Sequence, residues 1–233
     1  RTAELVVANR ELESFSYSVS HDLRAPLRSI HGFSEALLED CGALLSQQSK
    51  HFLGRIQHAS RRMGQLIDDL LKLSHVTRAE MVRRPVNLTE LAGDVVRDLK
   101  SAEPSRQVEV HIEADLMTYG DARLLRVLLD NLLGNAWKFT SKTTVPRIEF
   151  TRKAGSAEVF QVKDNGAGFD MSYAQNLFGA FQRMHAATEF PGTGIGLATV
   201  QRIVHRHGGR IWAESAVSEG ACFLFTVTGE NRT

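Results

Sequence analysis

The sequence predicts a chain of α + α/β class. An antiparallel helical hairpin forming a dimeric four-helix bundle is followed by a two-layer α/β sandwich. Three observations carry this. Gly32, Gly42, Gly54 and Gly64 are the only glycines in residues 1–86, while 14 of the 18 lie in 87–233. An apolar seam with heptad spacing runs through the glycine-poor part. Strand-like alternation and helical periods succeed one another in the rest.

In the first helix Leu5, Leu12, Val19, Pro26 and Phe33 recur every seven residues, with Ala8, Phe15, Leu23, Ile30 and Leu37 as companions. A polar turn follows around Gly42–Lys50. Phe52, Ile56, Ala59, Met63, Leu66, Leu70 and Leu73 then alternate by four and three, the spacing of a coiled-coil seam. Two helices alone cannot bury such a seam. A second copy of the hairpin would close it into a bundle by two-fold symmetry; packing against the chain's own second domain is the alternative. The seam already runs at Arg1–Glu13, so the first helix is expected to continue upstream.

Thr77–Pro85 is charged and has no seam. The expected organisation is therefore a hairpin at 1–78, a linker at 79–86 and a second domain at 87–229. In the second domain Leu88–Lys100 is helical, with Thr89 as its cap. Val108–Ile112 is a strand, and a short strand follows near Met117. Asp121–Phe139 is a strong helix. Arg147–Arg152 and Glu158–Lys163 form a strand hairpin, Thr193–His207 is helical, and Arg210–Ser215 closes against Cys222–Thr228.

The 233 residues suit one or two domains of about 100–200 each. With 42% apolar and 24% charged residues, composition excludes a disordered tail, a collagen or a membrane bundle. No run reaches the ~18 consecutive apolar residues of a membrane span, and no signal-peptide pattern opens the chain. Lys plus Arg number 28 against 27 Asp plus Glu, with no block of one sign, so nucleic acid is not an expected partner. Two cysteines in dissimilar segments, Cys41 and Cys222, suit free thiols in a reducing compartment, here the cytoplasm.

The helix at 121–139 carries chemistry on one face. Asn131, Asn135 and Lys138 fall four and three residues apart, opposite Leu125, Leu129, Leu132 and Ala136. Asparagine is a middling helix former, so propensity does not explain the pair. An amide oxygen can ligate a hard cation while a neighbouring lysine supplies a point charge for phosphate. Asp164-Asn165-Gly166-Ala167-Gly168 follows a predicted strand, and Gly192-Thr193-Gly194-Ile195-Gly196-Leu197 opens a predicted helix, whose free N–H groups would face an anion. A dinucleotide-binding reading fails because a loop, His185–Pro191, precedes Gly192 rather than a strand. Asp164 at a strand end suits acceptance from an exocyclic amine such as adenine's, which would exclude guanine.

Nine histidines occur, most among polar neighbours on helices or in loops. His21 differs. Standing two residues from both Val19 and Leu23, it is turned off the seam toward solvent, beside Asp22. A neutral imidazole offers one lone pair, and Asp22 would orient the ring and take its proton. Pro26 has no N–H for the carbonyl one turn back and so loosens the helix near residue 22.

Together these motifs resemble the sensor histidine kinases of two-component systems. Ser20-His21-Asp22-Leu23-Arg24-Ala25-Pro26-Leu27 resembles their phospho-acceptor box, Asn131–Thr140 (NLLGNAWKFT) the asparagine box, and Asp164–Gly168 and Gly192–Leu197 the glycine boxes. Phe178–Arg183 (FGAFQR) resembles the phenylalanine box between them. The wording is most similar to kinases attached to phytochrome or PAS sensors.

The resemblance implies ATP and Mg2+ as cofactors, with His21 phosphorylated and the phosphoryl group relayed to an aspartate of a response-regulator receiver domain. It implies Asn135 at the magnesium ion, Asn131 and Lys138 near the phosphates, Phe139 against adenine and Asp164 on its amino group. Gly166, Gly168, Gly192, Gly194 and Gly196, with Thr193 and Leu197, would shape the pocket, under a short lid at Met184–Pro191, and Arg183 would approach the γ-phosphate. It also implies a homodimer and an upstream sensor domain outside this chain. Two departures occur. Gly220-Ala221 stands where Ser or Thr often follows the glycine, and Ala25 stands where phosphatase-competent relatives often carry Thr or Asn, which implies a weak phosphatase. An ATP-gated clamp of the same superfamily and a degenerate scaffold are the alternatives; the box around His21 argues against the first, and intact Asn135 and Asp164 against the second.

Overall fold

A computed structural model describes the backbone of residues 2–78, 80–186 and 189–227, and the side chains of 22–74, 76, 80–186 and 189–227. The chain divides into two compact units, Arg1–His75 and Val76–Thr233. Among the described residues no helix is long and apolar enough to cross a membrane.

The first unit is built on α1 (Thr2–Cys41) and α2 (Gln47–Arg78). The expected turn is real but shorter than Gly42–Lys50. Ser46 starts α2 early by accepting the Ser49 N–H on its hydroxyl at 3.1 Å. Leu27, Ile67 and Leu71 bury each other between the helices, and the buried Ser60 hydroxyl donates to the Leu27 carbonyl at 2.8 Å. These are not the seam positions. Leu23, Ile30, Phe33, Leu37, Phe52, Ile56 and Met63 remain exposed, Phe33 by 73%. Each helix thus has one narrow apolar strip spent inside the hairpin and a second left bare.

In the second unit β1 (Arg84–Asn87) leads into α3 (Leu88–Ala102), followed by β2 (Glu109–Ile112) and β3 (Met117–Gly120). Next come α4 (Ala122–Phe139), β4 (Arg147–Arg152) and β5 (Val159–Asp164). A 3-10 turn at Met171–Asn176 precedes α5 (Gly196–Arg206), β6 (Ile211–Ala216) and β7 (Gly220–Thr226). The main sheet has the order β2-β4-β5-β7-β6, with β2 parallel to β4 and all other pairs antiparallel. Helix α4 packs on β4 and β5, with α3 and α5 on either side of it. Leu125, Leu128, Leu129, Leu132 and Leu133 have no exposed surface, and Phe150 and Phe225 stack beneath with centroids 6.5 Å apart.

Three local expectations differ from what forms. Thr89 does not cap α3. Asn87 does, accepting the Glu90 N–H, while the Thr89 hydroxyl donates to the Glu113 carbonyl and accepts the Leu116 N–H. The short strand near Met117 leaves the main sheet and pairs antiparallel with β1, so residues 84–86, expected as linker, are sheet together with Asn87. Helix α5 starts at Gly196 rather than Thr193, because Gly194 sits at φ +79°, outside the helical region.

The C-terminal end of α4 is closed by Arg106. Its guanidinium donates to the Trp137 carbonyl and the Thr140 hydroxyl and lies 4.9 Å over the Trp137 ring. Arg106→Met keeps the stem and removes the charged donor of the Trp137 carbonyl, leaving it only the Thr140 hydroxyl. It should lower unfolding free energy in urea by about 1–3 kcal/mol; an unchanged midpoint would contradict this cap.

Candidate functional site

Asp121 starts α4 by accepting the N–H groups of Arg123 and Leu124. With the leucine face sealed against the sheet, Asn131, Asn135 and Lys138 are left on the half-buried opposite side. Asn131 Nδ2 donates back to the Val127 carbonyl at 2.7 Å, and Lys138 Nζ donates to Asn135 Oδ1 at 3.1 Å. Burial, and then the positive charge of Arg183, push the Lys138 ammonium down to a pKa of about 8. The ammonium also sits 4.3 Å from the centre of the Phe139 ring. Among the described residues its company is an amide and an aromatic face.

The second glycine loop rides directly on this face. A Cβ at Gly196 would lie 2.6 Å from Asn131 Oδ1, so any other residue there would push the Asn131 amide aside. At Gly194 the positive φ and the Gln182 carbonyl, 2.6 Å from any Cβ there, impose the same choice. Gly192 passes beside Lys138, its Cβ position 3.3 Å from Nζ. Thr193 is half-exposed, and Leu197 packs on the edge of the core. The helix that follows has Ile195 at its N-cap and no side-chain cap hydrogen bond, whereas α3 and α4 have Asn87 and Asp121. Its leading amides are presented beside Asn131.

Asp164 ends β5, the central strand, between Ile148 of β4 and Ala221 of β7. It is buried, and Oδ1 accepts the Gly166 N–H at 2.8 Å. Burial pushes its carboxyl up to about 6, against the opposing effect of backbone N–H bonds from Gly166 and Ala221. The Phe139 carbonyl accepts the Ala167 N–H at 3.1 Å and so ties the first glycine loop to the end of α4. Gly168, Arg183 and His185 line a cleft of about 360 Å3 together with Phe169, Tyr173 and Met184. Asn131, Asn135 and Asp164 lie outside its lining.

Around Phe139 the sequence pattern missed a cluster. The rings of His185 and Phe190 stand 5.2 and 5.1 Å from Phe139 and 5.1 Å from each other, and Lys142 Nζ lies 4.7 Å over Phe190. Arg183 donates to the Phe190 carbonyl at 2.6 Å, which straps the lid segment at both ends. Phe190 next to Pro191-Gly192 was the one available signal.

Of the expected residues of the second unit, Gly166, Gly192, Gly196 and Arg183 approach Asn131, Asn135, Lys138 and Phe139 on the last three turns of α4. Asp164 stands at the end of β5 instead, and Gly168 packs on Ala216. His21 and Asp22 belong to the first unit, on α1. The side chain of His21 lies outside the described residues; Asp22 is exposed.

Comparison with known proteins agrees. Residues 11–78 match the family described as His Kinase A (phospho-acceptor) domain, and residues 120–231 match the histidine kinase-, DNA gyrase B- and HSP90-like ATPase family. Cyanobacterial phytochrome B of Nostoc sp. is 34% identical over 96% of this chain and 30% of its own length. The methanogenesis regulatory histidine kinase FilI of Methanothrix harundinacea is 37% identical over 97% of this chain and 26% of its own. This chain thus spans less than a third of either relative. Among solved structures, full-length ShkA in complex with AMPPNP superposes with a TM-score of 0.63 at 23% identity, covering 93% of this chain and 46% of that one, which supports the fold. Acinetobacter baumannii AdeS superposes at 0.61 and 18% identity, covering 91% of this chain and 98% of its own. With both family models matched in their order along the chain, and phospho-acceptor hairpin and ATPase sandwich both formed, this chain belongs to the sensor histidine kinases.

Proposed function

We propose that this chain is the core of an ATP-dependent autokinase that phosphorylates His21 and passes the phosphoryl group to an aspartate of a response-regulator receiver domain, downstream of a sensor domain and in the cytoplasm. The carrying observation is the uncapped start of α5 seated by Gly196 on Asn131, with the Asn135–Lys138 pair further along the same helix face. A polyphosphate meets there a helix N-terminus, a cation and an amide oxygen. In this reading the domains are the hairpin at 1–78, the connection at 79–86 and the ATP-binding domain at 87–229.

The residues present fit Mg2+. Asn135 Oδ1, an amide oxygen on the half-buried face, would be the protein ligand, and phosphate oxygens and water would supply the rest, as this ion prefers. When bound, Mg2+ neutralises charge on the phosphates. Lys138 and Arg183 add to that, and Asn131 and Thr193 line the phosphate path. Gly192, Gly194 and Gly196 keep that path free of side chains. Asp164 accepts from the adenine amine, and Phe139 lies against the ring. Gly166 and Gly168 shape the pocket by letting their loop pass against the Phe139 and Ala216 carbonyls; Leu197 anchors the second glycine loop.

In the transfer, a ring nitrogen of neutral His21 attacks the γ-phosphorus, the bond to the bridging oxygen breaks and ADP departs. Asp22 orients the imidazole and takes its proton. The bare strip of the hairpin is covered by a second copy, which makes the protein a homodimer: Leu23, Ile30, Phe33 and Leu37 of one copy meet those of the other.

Incubation with radiolabelled ATP should give acid-labile, base-stable label in the wild-type chain and none in His21→Gln, which should still bind ATP; label retained in that variant would refute the assignment. The Asp164 carboxylate accepts only when ionised, and its raised pKa of about 6 puts the loss of affinity below that pH. ATP should bind about tenfold more weakly at pH 5 than at pH 8 through this group, a dependence absent from Asp164→Asn; identical profiles would contradict it. Phe33→Asp should shift the chain toward monomer in sedimentation equilibrium, and an unaltered dimer would remove the strip from the interface.

A further inference from the structure

Helices α4 and α5 run side by side, and only one pair of their ends forms the site above. At the other pair, α4 begins at Asp121 and α5 ends at His207. The eighteen residues of α4 put about 27 Å between its two ends. His207 is buried, at 1% exposure. Its Nδ1–H donates to the Ile203 carbonyl at 2.8 Å, so Nε2 is the acceptor for the Asp121 N–H at 3.0 Å. The ring is seated tightly, since a Cβ at Gly120 would lie 2.8 Å from it. Burial pushes the pKa of His207 down, with the cations of Arg83 and Arg206 acting in the same sense and the Ile203 carbonyl and Asp121 opposing, which keeps the ring neutral and able to accept.

The same end holds the stretch that leads from α2 into this unit. The Asp121 carboxylate accepts the Val82 N–H at 2.9 Å while it caps α4. Burial raises its pKa, but Arg123 and the amides of Val82, Leu124 and Arg123 outweigh burial and hold it at about 2, so it stays ionised at any working pH. Arg206 donates to the Val76 carbonyl, one of the last carbonyls of α2. Arg83 donates to the Arg206 carbonyl at 3.2 Å, and Arg123 to the Glu80 carbonyl at 3.1 Å. Val76, Glu80, Val82 and Arg83 are therefore fastened to the starting cap of one site helix and the final turn of the other.

We propose that Asp121 and His207 form a latch that fixes Val76, Glu80, Val82 and Arg83 to the two helices carrying the phosphate-binding groups, making His207 a positioning residue for transfer to His21. The proposal rests on the autokinase reading. A helix is stiff along its axis, and α4 and α5 are packed on each other. Fastening the incoming chain to their ends fixes where it leaves this unit relative to Asn135, Lys138 and Gly196. Loosening the latch leaves the nucleotide groups in place and widens the range of positions open to the attached phospho-acceptor helix. That is a loss of orientation rather than of binding, and a displacement of about 1 Å can cost a hundredfold in rate.

The test uses the full chain with His207→Leu, which removes the acceptor, His207→Gln, whose side-chain oxygen replaces it, and Arg83→Met, which releases a surface strut without opening the core. Hydrogen exchange at the Val82 amide and steady-state labelling of His21 are measured together. In His207→Leu and Arg83→Met the Val82 amide should exchange at least tenfold faster, and kcat should fall about tenfold with KM for ATP within twofold. His207→Gln should stay near wild type in both. Unchanged exchange, faster exchange at wild-type kcat, or a fall in His207→Gln equal to that in His207→Leu would each overturn the latch. A wild-type chain that takes no label would overturn the kinase reading and the latch with it, whereas normal labelling with an unaffected His207→Leu would overturn the latch alone.

Discussion

Two cations, Lys138 and Arg183, are held near one another at a half-buried place where, among the described residues, no carboxylate forms an ion pair with either. The consequence shows in Lys138, whose ammonium is pushed down to about 8. Side chains left to themselves would move apart. They stay because α4 cannot roll: Leu125, Leu128, Leu129, Leu132 and Leu133 are sealed against the sheet, and turning the helix would expose them at about 1.5–3 kcal/mol each. The core thus holds a concentration of positive charge that an anion would relieve. Asp164, buried at the strand end and pushed up to about 6, is the same device with the opposite sign. Both are stored electrostatic costs, and in the proposed reading they meet the two ends of one ligand, phosphate and adenine.

Much of this was legible in the sequence because it is periodic. A spacing of four and three puts Asn131, Asn135 and Lys138 on one face whatever surrounds the helix, and the glycine strings announce close backbone approach. What stayed illegible depends on distant partners. Nothing near Thr89 says that its hydroxyl is engaged by Glu113 and Leu116, or that Asn87 takes over the cap. The pairing of β1 with β3 joins segments some thirty residues apart, and a charged stretch carries no strand signal of its own. The ring cluster of Phe139, His185 and Phe190 joins a helix end to a loop, where no period exists to be read. His207 looked like a surface histidine among polar neighbours, and only the fold puts Gly120 and Asp121 against it.

The hairpin makes a related point about apolar stripes. The heptad seam correctly marked two long helices, yet the contact inside the hairpin uses Leu27, Ile67 and Leu71, one position past the seam. A helix in a four-helix arrangement has two neighbours and so needs two strips. Among the described residues much of the seam that stood out in sequence is bare, which the proposed dimer would cover, while the strip that closes the hairpin is short and less regular. Both units therefore follow one pattern. Packing within the unit fixes a helix, and the face left over is where a partner or ligand is expected.

The claim that Lys138 awaits an anion is tested most directly by counting protons on nucleotide binding. At pH 8 an ammonium with a pKa of about 8 is about half protonated, and phosphate beside it would restore the missing share. Calorimetry of ATP binding in buffers of different ionisation enthalpy should therefore give an uptake of about half a proton in the wild-type chain beyond that seen in Lys138→Met. Equal proton counts in the two proteins, with ATP bound by both, would contradict the account.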